Sequence, residues 1–170
     1  MPLSRQLVLS LFSIFLALFI GVVWINVSNT KNFIEQQLTS HAQDTATSLG
    51  MSITPYIGDG DVPLIETMIN AIFDRGYYSA IVLKNTDGNV ILERRNPVSL
   101  EHVPSWFISM FPLSPPIQKT EINDGWTIAG QLSVQSHAGI GYGQLWDNAL
   151  DSFKLMLSMF LVGLGLVWFL

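Results

Sequence analysis

The sequence predicts an α+β domain with a four-stranded antiparallel sheet, set between two membrane-spanning helices. Three observations carry this. Apolar runs occupy both ends of the 170 residues. Two pairs of β-rich segments are each joined by an Asn/Asp/Gly turn. Between and around them, apolar residues recur at helical spacing.

The first run, Leu7 to Val27, holds 21 residues without a formal charge. At about 1.5 Å per residue it spans about 31 Å, the thickness of a bilayer core. Lipid offers the backbone no hydrogen bonds, so the run is expected to be helical. It is longer than a signal-peptide core, and no A-x-A-like site follows it, so an uncleaved anchor is expected. Phe33, Ile34, Leu38, Ala42, Ala46, Leu49 and Ile53 then step at three or four residues, an amphipathic helix continuous with the span. Pro55 is expected to end it.

Asp61 suits the N-cap of a second helix, with Pro63 in its first turn and Leu64, Ile65, Met68, Ile69, Ile72 and Phe73 as its buried stripe. Gly76 stands where a chain leaving a helix turns left-handed. Tyr77 to Lys84 reads as a strand, Asn85 to Gly88 as a turn, and Val90 to Arg95 as the return strand. Trp106, Phe107 and Met110 follow Pro104 at helical spacing. Pro112, Pro115 and Pro116 break the chain. Ile117 to Ile122 and Trp126 to Ser136 form a second hairpin across Asn123-Asp124-Gly125. Gly139, Gly141 and Gly143 read as a loop into a last helix. That helix enters the second run, Leu155 to Leu170, which is short for a full span and is expected to be truncated.

The expected organisation is residues 1–6 on the cytoplasmic side, 7–27 the first span, 28–153 one outer domain, and 154–170 the second span. Residues 28–153 contain all thirteen acids and six of the eight bases, a net charge of -7. A sheet with flanking helices whose ends enter the membrane is PAS- or Cache-like in outline and suits a signal transducer.

Composition closes off several classes of chemistry. Net charge is -5, with 12% charged residues and no cysteine. An acidic chain disfavours nucleic acid as a partner. Without cysteine, thiol catalysis, iron–sulfur clusters and disulfide scaffolds fall away. His41, His102 and His137 form no zinc motif, and there is no P-loop and no G-x-S-x-G. No enzyme activity, metal or cofactor is expected. Asp59-Gly-Asp61 resembles a piece of a calcium loop but lacks the later ligands, so an N-cap accounts for it better. His41 and Asp44 share one helix face, as a solvated pair or as a polar contact to the sheet.

Trp126 carries most information. Directly after a turn, it is either a strand residue packed into the core or an exposed anchor of the kind enriched in interface hot spots.

In order along the chain, Ser40 to Leu49 with Ser52-Ile-Thr-Pro55, Ile72 to Tyr78, Val90 to Arg94, Val103 to Phe107, Gly125-Trp126 and Leu145-Trp146 resemble the LapD/MoxY N-terminal domain. The resemblance covers nearly the whole chain. It implies the periplasmic output domain of a two-pass inner-membrane receptor for cyclic di-GMP. In that family a cytoplasmic module, absent from these 170 residues, binds the nucleotide. The periplasmic domain, a PAS-like domain-swapped homodimer, sequesters a LapG-type cysteine protease, which spares a surface adhesin and favours biofilm. Asp124, Gly125 and Trp126 map onto its recognition loop. The alternative is a small-molecule sensor of the kind carried by a histidine kinase, for which Arg75, Tyr77 and Tyr78 are the polar candidates.

Overall fold

The computed structural model describes residues 3–97, 100 and 102–169. Met1, Pro2 and Leu170, which belong to the expected cytoplasmic segment and second span, lie outside the described residues. The elements are α1 (Leu3–Ile57), α2 (Val62–Phe73), β1 (Tyr78–Asn85), β2 (Val90–Arg95), α3 (Ser105–Met110), β3 (Gln118–Asp124), β4 (Thr127–Ser136) and α4 (Ala138–Phe169). This is the α+β arrangement expected from the sequence, with one four-stranded antiparallel sheet ordered β2-β1-β4-β3.

Two compact units are present. The first comprises Met1–Asn32 and Gln144–Leu170, and the second Phe33–Gly143. Within the first, helix faces meet through phenylalanines: Phe15 stacks on Phe160 with centroids 4.9 Å apart, and Phe19 meets Phe153 edge-on at 5.7 Å. Ile14, Leu18, Ile20 and Ile25 are exposed. Among the described residues α1 is the helix long and apolar enough to cross a membrane.

In the second unit the sheet buries one face. Ile81 and Leu83 of β1, Leu132 and Val134 of β4 and Ile122 of β3 pack with Ala42, Ala46, Leu49 and Ile53 of α1 and with Ile65 and Ile69 of α2. The period-2 burial of β4 follows from pleating, which sends alternate side chains to opposite faces. Polar contacts add to this packing at Leu38 and Thr45 of α1. The Thr45 and Tyr78 hydroxyls lie 2.5 Å apart, and Ser136 Oγ donates to the Leu38 carbonyl at 2.7 Å. Arg94 ties β2 to α2, pairing with Glu66 and donating from Nε to Asn70 Oδ1 at 2.8 Å.

Four local expectations need correction. α1 does not stop at Pro55 but runs to Ile57. Proline removes the N–H that would bond the Met51 carbonyl, and Met51 is exposed, so water can take that acceptor. Phe33 is exposed and does not belong to the buried stripe. Gly139 to Gly143 is not a loop: it forms the first turns of α4. Close packing overrides poor propensity there, since a Cβ on Gly141 would stand 3.0 Å from Ile34 and 3.1 Å from Leu38. Finally, Asn123 and Asp124 belong to β3, which moves the turn one step on to Gly125-Trp126.

Other expectations match. Asp61 Oδ1 accepts from the Leu64 N–H at 3.3 Å, and Pro63 lies in the first turn of α2. This is the N-cap geometry, which satisfies a donor otherwise orphaned at a helix start. Gly76 has φ +79°, and its N–H bonds the Phe73 carbonyl at 3.0 Å.

Candidate functional site

The β3–β4 hairpin closes through a two-residue turn. Asp124 pairs with Thr127, leaving Gly125 and Trp126 between the strands. Gly125 has φ +63°, and no non-glycine residue among those described has positive φ. A first turn residue with positive φ followed by a second with negative φ is the type II′ pattern, which suits the twist of paired strands and calls for glycine first. Thr127 Oγ1 donates to the Asp124 carbonyl at 3.2 Å and ties the tip.

The turn leaves Trp126 outside the core. Its relative exposure is 103%, against 0% for Ile122 only four residues earlier. The alternative of a core tryptophan therefore fails, and the exposed position anticipated after the turn is what the chain adopts. Asp124 and Gly125 are exposed beside it. The Asp124 carboxylate lies against the backbone of Gly58, where a Cβ would come within 2.6 Å of it. The three residues named from the sequence thus sit together on one tip, braced by the loop after α1.

Ile128 belongs to the same surface and was not legible as such. Strict alternation from Leu132 and Val134 places Ile128 on the buried face. Ile122 pairs with Gly130 while Asn123 pairs with Ile128, so Ala129 is an extra residue in β4. Such a bulge reverses the alternation, and Ile128 is 52% exposed. The Ala-Gly pair inside a β-rich run was the available signal, because glycine in a strand often marks a bulge.

The residues considered for a small ligand do not converge. Tyr78 is buried against Thr45, whereas Tyr77 and Arg75 are exposed. His41 and Asp44 are both exposed on α1, the solvated alternative. Among the described residues a shallow cleft of about 260 Å³ lies on the open face of the sheet and one of about 650 Å³ at the sheet end beside Asn96 and Pro115, and the two share Ala80, Arg95 and Gln135. Arg95 there is taken up by Glu93. Among the described residues no group of three acids and histidines is placed to hold a metal.

The LapD/MoxY periplasmic domain family matches residues 23–146. A solved structure described as that of the Pseudomonas fluorescence LapD periplasmic domain is 34% identical, covering 74% of this chain and 98% of that chain with a TM-score of 0.42. Among curated proteins there is no match. With the family matched over well over half of its residues, the chain belongs to the LapD/MoxY periplasmic domain family.

Proposed function

We propose that this domain is the output element of an inner-membrane cyclic di-GMP receptor and that it sequesters a LapG-type periplasmic cysteine protease. Sequestration would spare a surface adhesin and promote biofilm. The observation that carries the reading is the full exposure of Trp126 on a braced, two-residue turn. A large aromatic side chain held out in water by a rigid turn has little rotamer entropy to lose on docking and much area to bury. Nothing in the turn itself needs a tryptophan: type II′ geometry constrains the first residue, not the second. Membership of the LapD/MoxY periplasmic domain family supports the choice of a LapG-type partner. Nucleotide binding is assigned to a cytoplasmic module of the receptor and not to these residues. The domain acts as a homodimer in this reading, and the protease docks at Trp126, Gly125 and Asp124.

Two spans with the domain outside complete the proposal. Residues 7–27 and 154–170 cross the membrane, and residues 28–153 lie in the periplasm. A reporter fused after Gly60, in the exposed loop that follows α1, is expected to be active only in a periplasmic format. Activity restricted to the cytoplasmic format reverses the topology.

The binding test is direct. The full chain, reconstituted in nanodiscs, is expected to retain a LapG-type cysteine protease through size exclusion at micromolar concentration. Elution of the two as separate species at that concentration rejects the reading.

A further inference from the structure

The end of the sheet that carries Trp126 is assembled from three stretches of chain. Asn85 at the end of β1 pairs with Gly130 near the start of β4, and Asp124 at the end of β3 pairs with Thr127. Both hairpin tips therefore lie at the same end. α1 terminates there as well: Ile57 Cδ1 is 3.3 Å from where a Cβ on Gly130 would stand, and Gly58 meets Asp124.

Residues 58–62, 84–90 and 123–128 make up this end. They contain four aspartates, Asp59, Asp61, Asp87 and Asp124, all exposed, and one base, Lys84. Asp61 caps α2, and Asp87 accepts a long bond of 3.4 Å from the Asn85 amide. Among the described residues no ion pair takes up Asp59 or Asp124. Apolar side chains stand among these charges. Besides Trp126, Val62, Val90 and Ile128 are exposed at the same end.

We propose that this end is a docking surface for a protein whose apolar pocket is rimmed by lysine and arginine, with Asp59, Asp87 and Asp124 steering it onto Trp126. The proposal rests on the protease reading above and adds the electrostatic character of the partner. An apolar anchor ringed by negative charge selects against the other occupants. A metal ion gains nothing from an exposed indole, and the acids are not spaced to hold one. An anionic bilayer surface repels the aspartates. A basic-rimmed protein surface satisfies both parts, since complementary potentials raise the encounter rate and the buried aromatic slows dissociation.

Association and dissociation rates of the full chain in nanodiscs with a LapG-type protease separate the two parts. Asp61 is left in place because it caps α2. From about 50 to about 500 mM NaCl the association rate of the wild-type chain is expected to fall about tenfold while dissociation changes less than about twofold. The triple variant Asp59→Asn, Asp87→Asn, Asp124→Asn is expected to associate about tenfold more slowly at low salt and to lose most of the salt dependence. An unchanged melting temperature of the triple variant confirms that the fold is kept. A complex that is lost in Trp126→Ala but is blind to salt, or a triple variant that associates like the wild type, overturns the basic-rim proposal and leaves the protease reading standing. No complex at any salt overturns the protease reading, and the partner assigned here falls with it.

Discussion

Trp126→Ala is expected to weaken capture of a LapG-type protease by at least about thirtyfold, about 2 kcal/mol, while leaving the melting temperature of the domain within about 2 °C of wild type. The two halves of this result follow from one observation. A side chain at 103% relative exposure has no packing to lose, so its truncation creates no cavity and strands no polar group. The backbone of the tip is fixed by Gly125 at φ +63° and by the Thr127 to Asp124 bond, neither of which involves the indole. Truncation therefore removes only the area that docking buries. Trp126→Glu is expected to abolish capture, because a carboxylate entering an apolar pocket must be desolvated without a partner. Isothermal titration and thermal melting on the same preparation check both halves. A melting temperature lowered by 10 °C or more with unchanged affinity of the folded fraction would return Trp126 to the core.

Much of this site was legible because it depends on short-range rules. A turn glycine and the residue after it are local properties, and the Asn-Asp-Gly-Trp run carried them. The N-cap at Asp61 and the stripe of α2 were local in the same way. What was hidden depends on contacts between distant segments. Gly141 reads as a breaker until Ile34 and Leu38 are known to lie against it. Pro55 reads as a terminator until the exposure of Met51 shows that its freed carbonyl is within reach of water. The bulge at Ala129 is a matter of register with β3, and register cannot be counted along a single strand. The grouping of Asp59 and Asp87 with Asp124 likewise appears only once both hairpin tips and the end of α1 share one end of the sheet.

The contrasting expectation concerns the core beneath that surface. Ile81→Ala is expected to destabilise the domain by about 3 kcal/mol, within the roughly 2–5 kcal/mol range for truncating a buried isoleucine. Ile81 is 0% exposed and lies on β1, an inner strand, paired with Arg94 of β2 and Val134 of β4. Its buried neighbours come from α1, α2 and the sheet together, so no single element can shift to fill the space. Interiors packed at crystal-like density relax only partly around a lost group, and both the transfer and the cavity contribution are then felt. For a domain of this size that loss lowers the melting temperature by about 10–20 °C. Affinity for the protease at 10 °C, where the variant remains folded, is expected to stay within about twofold of wild type, because Trp126 and its bracing are untouched. The pair of variants thus separates stability from recognition: Trp126→Ala moves affinity alone, Ile81→Ala moves melting alone. A loss of less than 1 kcal/mol in Ile81→Ala would mean that the sheet and helices are not packed as a single core around β1.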